Sequence, residues 1–359
     1  MKFIHCSDIH LGSSLTSHFD SETAETRRNE LTHTFERLAE YAKQNGVIAI
    51  IIAGDLFDRK TIRASLKEKV LQIVQNYPQT DFLYLKGNHD KDTPFPPPEN
   101  TPCNLKLFQE SWTSFDYGEV TVSGVCLNDT NCRSVYDTLR LNSGRINLVT
   151  MHGGTITSGN ESSDTVTIRR LKAKNIDYLA LGDYHSYQCE KLDRRGVYCY
   201  SGCLEGRGFD ETGEKGFVLL DCEKGQVEHR FIPFCTRTVH EIDVDITDVS
   251  PSKIESIVSD AIKEVRNKDL LRVNLTGVYP PESFKNLLYL QQKLEHDFYY
   301  AEVRDKTRIK IDPASYADGV SLKSEFIRLV LADEKLTQEQ SDKIIACGIS
   351  ALKGEEIVL

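Results

Sequence analysis

Five short stretches of the chain carry residue types that bind hard or borderline metal ions. They are Asp8 and His10 in CSDIH, Asp55 and Asp58 in AGDLFD, Asn88, His89 and Asp90 in KGNHD, His152 in MHGG, and Asp183 with His185 in LGDYH. Carboxylate, amide and imidazole donors suit Mn²⁺, Fe²⁺ and Zn²⁺, and the oxygen donors also suit Mg²⁺. Ions held this way act as Lewis acids and acidify bound water, so the chemistry such a set would carry is metal-assisted. Taken singly, each fragment is more often a turn or capping motif than a ligand set, because Asp, Asn and Gly are common turn residues. It is the recurrence that points to a site.

Each stretch lies where an apolar run ends. Residues 2–5, 47–53, 82–85, 146–151 and 176–181 read as buried strands, and VIAIIIA is unbroken, as a strand covered on both faces should be. Leu31, Phe35, Leu38 and Ala42 stand at helical spacing and predict a helix over 24–44, stopped by Asn45-Gly46; a second helix is expected over 64–76. This alternation predicts an α/β sheet of parallel strands, whose carboxyl ends form the crevice where ligands bind. Gly54, Gly87 and Gly182, each preceding a candidate ligand, would let the backbone turn sharply away.

In this order the stretches resemble the calcineurin-like metallophosphoesterases, whose pattern is Asp-x-His, Gly-Asp-x-x-Asp, Gly-Asn-His-Asp, a lone His, then Gly-His-x-His. Three longer stretches resemble the SbcD nucleases of DNA repair and recombination: FIHCSDIHLG, GDLFDR, and YSGCLEGRGFDETGEKGFVLLD over residues 200–221. The last third of the chain matches that family only in outline. The resemblance implies a layered αββα core and two divalent ions, Mn²⁺ foremost, with Mg²⁺, Fe²⁺ and Zn²⁺ as alternatives. One ion would be held by Asp8, His10, Asp55 and His185. The other would be held by Asp55, Asn88, His152 and the residue at the first His of the last motif, which here is Asp183. His89 would act on the leaving oxygen, Asp90 would orient His89, and Asp58 would be a loop or supporting residue. The resemblance further implies a DNA substrate, an SbcC-like coiled-coil ATPase as partner, and a homodimer formed through the helix at 24–44.

Asp183 departs from the family pattern, and the departure has consequences. A carboxylate ligates Mn²⁺ or Mg²⁺ well, so the position need not be empty. Three ionised ligands leave the site less attractive to a phosphodiester than two would. Asp is also shorter than His, so the backbone must move in or a water must complete the sphere. A working site biased toward hard cations, a weak second metal, and a degraded site are the three outcomes. The neighbouring Tyr184 is either a base-stacking platform or an ordinary exposed loop residue.

With 359 residues the chain exceeds what one core usually supports. We expect a metallophosphoesterase domain over 1–234, a β-α-β-α-β capping domain over 235–313, and a helical segment over 314–359 that could dock on the ATPase or on the capping domain. Within the cap, a helix is expected over 281–297 and a strand over 299–311. The net charge of −10 argues against a protein that chiefly coats nucleic acid, and Arg59, Lys60, Arg63, Lys86 and Lys91 near the motifs either track a phosphate backbone or form an ordinary solvated helix start. No apolar run is long enough for a membrane span, so a cytoplasmic, non-membrane protein is expected. Ten cysteines without a Cys-x-x-Cys pair predict reduced thiols. The stretch PFPPPENTP over 94–102 predicts a stiff loop beside the active site. The leading expectation is a two-metal DNA exo- or endonuclease subunit. A small-molecule phosphodiesterase or phosphatase, and a weakly active scaffold for the ATPase, are the alternatives.

Overall fold

The computed structural model describes residues 1–17, 19–59, 61–279, 285–309 and 319–353. They form two compact units, Met1–Val239 and His240–Leu359.

The first unit is a sandwich of two six-stranded sheets. In spatial order the first sheet runs β14 (Gln226–Pro233), β13 (Gly216–Glu223), β1 (Lys2–Cys6), β2 (Val47–Ala53), β3 (Asp81–Leu85) and β4 (Leu105–Leu107). The second runs β11 (Gln188–Lys191), β12 (Val197–Tyr200), β10 (Tyr178–Gly182), β7 (Ile146–His152), β6 (Val120–Gly124) and β5 (Thr113–Tyr117). A short parallel pair, β8 (Gly154–Ile156) and β9 (Thr165–Thr167), flanks them. The layered αββα core that the resemblance implies is present, with the parallel strands expected from the alternation lying in two stacked sheets. The five motif-bearing strands are parallel to their motif-bearing neighbours, but they divide between two sheets. Antiparallel β11, β13 and β14 and the β5–β6 hairpin extend those sheets.

Alternation along the strands decides what fills each layer. Phe3, Ala49, Ile51, Leu83 and Leu85 face Val120, Val122, Ile146, Leu148, Tyr178 and Ala180 in a buried core between the sheets. On the outer side of the first sheet, Phe82 meets Phe35 of α1 (Ser21–Gln44), with ring centroids 6.1 Å apart, and α2 (Ala64–Asn76) contacts α1. Asp20 caps α1 by accepting from the backbone N–H groups of Glu22 and Thr23, each at 3.0 Å. The outer side of the second sheet is covered by the short helices α3 (Val135–Thr138) and α4 (Ile168–Leu171), where Tyr136, Ile168 and Leu171 pack on Val149, Met151 and Leu181. Polar contacts also tie the two sheets together: buried His5 of β1 meets Tyr178 Oη of β10 at 2.9 Å and the Leu181 carbonyl at 3.1 Å.

Cys189 and Cys199 sit directly opposite each other on β11 and β12 and are joined by a disulfide, which corrects the expectation of ten reduced thiols. Their spacing of ten residues does not announce this pairing, because only the strand register brings them face to face. The other eight cysteines are free.

The second unit holds a three-stranded sheet ordered β15 (Val239–Asp245), β16 (Leu270–Thr276), β18 (Tyr300–Asp305), with α5 (Pro251–Ala261) and α6 (Leu287–Asp297). Parallel β17 (Val278–Tyr279) and β19 (Arg308–Ile309) follow β16 and β18. Its core is Val244, Ile254, Val258, Leu271, Val273, Leu290 and Leu294. The expected helix start at Pro281 and strand end at Ile311 lie outside the described residues. Helices α7 (Leu322–Leu331) and α8 (Gln338–Lys353) pack through Ile327, Ile345 and Ile349. No helix among the described residues is long and apolar enough to cross a membrane.

Candidate metal centre

The motif residues meet at the carboxyl ends of β1, β2, β3, β7 and β10, where the two sheets open onto one crevice. The backbone there departs from ordinary conformations. Asp8, His10, Asp55 and Asp183 all take positive φ, at 50°, 50°, 51° and 110°. For residues other than Gly this costs energy, and such strain concentrates where a fold must aim side chains. The strained turns are held by backbone hydrogen bonds between the first two motifs, from Asp8 N to Gly54 O at 3.1 Å and from His10 N to Asp55 O at 3.0 Å.

The glycines before the ligands serve partly for a different reason from the expected one. Gly54 does take φ +97°. Gly87 has no such torsion; a Cβ there would lie 2.2 Å from Asp55 Oδ1, so its role is to let the third motif approach the second.

Three imidazoles present the same face to the crevice. His152 Nδ1 lies 2.9 Å from the Ala53 carbonyl, His185 Nδ1 lies 2.6 Å from Glu211 Oε1, and His10 Nδ1 lies 3.3 Å from Asp58 Oδ1. The acceptors beside His152 and His185 take those rings' Nδ1–H, so Nε2, once deprotonated, is the atom free to ligate, while His10 Nδ1 lies near Asp58 without an aligned hydrogen bond. The Nε2 atoms of His10 and His185 are 3.2 Å apart. At that separation the two nitrogens share either a proton carried by one ring or a metal ion lying between them. Two nitrogens bound to one ion at about 2.1 Å would be roughly 3.0 to 3.4 Å apart for octahedral to tetrahedral angles. The donor set therefore fits a metal ion.

Asp8 joins His10 and His185 in one cluster and Asp55 and His152 in another, the ligand atoms of each group lying within 4.8 Å of one another. Asp55 Oδ2 is 3.8 Å from His10 Nε2 and 3.5 Å from His152 Nε2, so one carboxylate oxygen reaches both groups. Asn88 Oδ1 lies 3.2 Å from His152 Nε2. Asp183 stands at the same rim, its N–H donating to Asp8 Oδ1 at 3.0 Å, but its carboxylate is not among the groups that converge in these clusters. Tyr184 is exposed, with its ring 5.2 Å from that of Tyr200.

His89 is exposed at the crevice mouth, its N–H bonded to Asp55 Oδ1 at 3.0 Å. Its Nδ1 lies 3.0 Å from the Asp58 carbonyl, which can only accept, so Nε2 is the ring atom left for other partners. The expectation that Asp90 orients His89 is corrected. The Asp90 carboxylate accepts from Gly87 N, Phe57 N and Tyr84 Oη, which pins the turn that carries Asn88 and His89. Burial, with the charge of Asp55, pushes the Asp90 carboxyl up to about 6.

Sequence reasoning missed Arg207 and Glu211. Glu211 braces His185, and Arg207 donates to both Glu211 and Asp58 Oδ1, the latter at 3.0 Å, so one ionic chain supports His10 and His185 together. Burial opposes ionising Glu211, but the bonds from His185 and Arg207 outweigh it and hold its carboxyl far below the usual range. The only signal was two charged residues four apart in the Gly-rich stretch 200–221.

Burial disfavours protonating His152, yet its bond to Asp55 and the charges of Asp55 and Asp8 hold it up at about 10. Buried Asp8 is pushed up chiefly by desolvation. The crevice thus carries an excess of negative potential that a cation would neutralise. Of the nearby basic residues, Lys86 is tied to the Thr93 carbonyl at 2.8 Å, Arg59 lies 3.7 Å from Asp58, and Lys60 lies outside the described residues. Phe95 anchors the proline-rich loop, its ring 5.0 Å from that of Phe57. A cavity of about 410 Å³ opens beside Asn88 and His152, with Phe95, Phe108 and Asn128 in its lining.

The sequence profile of the calcineurin-like phosphoesterases matches residues 1–196. The uncharacterized metallophosphoesterase YhaO of Bacillus subtilis is 24% identical over 299 residues, covering 78% of this chain and 72% of that protein. The DNA double-strand break repair protein Mre11 of Methanosarcina acetivorans is 23% identical over 74% of this chain and 44% of its own length. Mre11 of Saccharolobus solfataricus is 23% identical, with 100% of this chain and 97% of that protein covered.

Proposed function

From the premise that the chain belongs to the calcineurin-like phosphoesterases, a family that works with paired metal ions, we propose that it is a metal-dependent DNA nuclease subunit akin to SbcD. The observation that carries the hydrolytic part is the convergence of His10, His185 and Asp8 beside Asp55, whose Oδ2 faces both metal-binding groups. The DNA part is supported by the stretch at 200–221 and by relatives named as DNA double-strand break repair proteins that align along the whole chain.

In this reading Asp8, His10, Asp55 and His185 hold one ion, and Asp55, Asn88, His152 and Asp183 hold the other, with Mn²⁺ as the proposed metal. The ions would supply Lewis acidity to the phosphoryl group and acidify the attacking water. His89, with Nδ1–H committed to the Asp58 carbonyl, would give its Nε2 proton to the leaving oxygen from the imidazolium form. Glu211 and Arg207 keep the imidazole of His185 aimed at the site. The second unit is proposed as a substrate-selecting cap, and α7 and α8, with Leu322 and Leu329 exposed, as the docking segment for a coiled-coil ATPase. A homodimer through α1 belongs to the same proposal.

The test is incubation with Mn²⁺ and end-labelled single- and double-stranded DNA, beside His89→Ala and Asp183→His. Cleavage lost in His89→Ala, by about 10²- to 10⁴-fold, supports the nuclease. An inert native chain that cuts once Asp183→His is introduced would show that Asp183 weakens the site and favour a scaffold role. Hydrolysis of a small phosphodiester without DNA cleavage would sink the nuclease reading. That second reading, a small-molecule phosphodiesterase, is favoured by the net charge of −10 and by the cavity beside Asn88 and His152.

A further inference from the structure

The paired edges of the two sheets carry a different constellation. β11 is the edge strand of the second sheet and β14 the edge strand of the first, and the two edges are bridged by side chains. Tyr187, just before β11, stacks on Phe231 of β14 with centroids 4.7 Å apart. Next to this pair, His229 of β14 points Nε2 at Cys189 Sγ, 3.4 Å away, and Cys189 lies directly opposite Cys199. The ligand atoms of Cys189, Cys199 and His229 all lie within 4.8 Å of one another.

We propose that in the reduced chain Cys189, Cys199 and His229 form a separate metal site of soft, two-thiolate and one-imidazole type, suited to Zn²⁺, that clamps the free edges of the two sheets. Thiolate and imidazole are the donors that select Zn²⁺ over the hard cations suited to the carboxylate-rich crevice. The sulfur–nitrogen geometry agrees, and on reduction the two sulfurs must part to about 3.8 Å to share the ion: with Zn–S of about 2.3 Å and Zn–N of about 2.0 to 2.1 Å at tetrahedral angles, a bound sulfur and nitrogen stand about 3.6 Å apart. The separation found is 3.4 Å, and it is Nε2 that faces the sulfur. Burial lowers the His229 pKa, which favours the neutral, ligating imidazole.

The disulfide and the metal site are alternative states of the same two sulfurs. A thiol or phosphine reductant supplies two electrons that break the S–S bond, and two protons convert the sulfurs to thiols. Binding of the ion then releases those two protons and forms two metal–sulfur bonds and one metal–nitrogen bond, leaving the fourth position for water. No redox change occurs at the metal. The site would hold β11 to β14 under reducing conditions, as the disulfide holds β11 to β12 under oxidising ones.

Co²⁺ titration of the full chain tests this, because thiolate ligation gives a near-ultraviolet sulfur-to-cobalt charge-transfer band that the oxygen and nitrogen donors of the crevice cannot give. The reduced chain should develop the band to one equivalent, and the oxidised chain should show none. Cys189→Ser should abolish it. His229→Gln should weaken binding at least tenfold against a colorimetric chelator, with Cys103→Ser as an unaffected control. A reduced chain without the band, or a band of equal size in Cys189→Ser, overturns the site. If Cys189→Ser fails to match the apo thermal midpoint of the native chain, His229→Gln alone decides: unchanged affinity there refutes the proposal.

Discussion

His10 and His185 are 175 residues apart in the chain, yet their Nε2 atoms lie 3.2 Å apart and each ring sets its Nδ1 beside a carboxylate. The two carboxylates, Asp58 and Glu211, are joined through Arg207. One ionic chain therefore sets the aim of two imidazoles, and loosening it should loosen metal binding without touching a ligand.

Glu211→Gln should accordingly weaken binding at the His10–His185 position by about 10- to 100-fold, the usual consequence of losing a partner that orients a ligating imidazole. Isothermal titration with Mn²⁺ reads this directly. Affinity within twofold of the native chain would mean that Glu211 only supports the loop.

Gly87→Ala should displace Asp55, because the new Cβ would stand 2.2 Å from Asp55 Oδ1. Since Asp55 faces both metal-binding groups, stoichiometry by elemental analysis should fall below two ions per chain. Gly144→Ala, whose nearest neighbour would be Asn142 Oδ1 at 3.4 Å, is the matched control and should keep both.

Metal binding should stabilise the fold, since the buried carboxylates of Asp8 and Asp55 gain a counter-charge. A ligand at 100 times its Kd adds about 2.7 kcal/mol. Thermal melts should thus shift upward with Mn²⁺ and return on chelation. Equal midpoints with and without Mn²⁺ would contradict a folded-state site.

Tyr178→Phe removes the hydroxyl that meets His5 Nδ1 at 2.9 Å in the core between the sheets. His5 Nε2 is committed to the Leu181 carbonyl, so Nδ1 would be left a buried, unpaired acceptor. The expected cost is about 1 to 3 kcal/mol, seen as a lower urea midpoint. Metal affinity should not change.

The sequence by itself determined the strands and the residues at their ends. Apolar runs and β-branched residues specify a buried strand locally, and the polar residue that follows each run is read without knowing the partner strands. Asp8, His10, Asp55, Asn88, His152 and His185 were legible as candidate ligands for that reason. Whether they converge was not. That depended on dividing five strands between two stacked sheets, which is a choice of pairing between segments far apart in the chain. Arg207, Glu211 and Asp90 acquired their roles only through such contacts, since a charged residue in a loop carries no local mark of what it will touch. The same holds for Cys189, Cys199 and His229: strand register puts two of them face to face, and the stacking of the sheet edges adds the third.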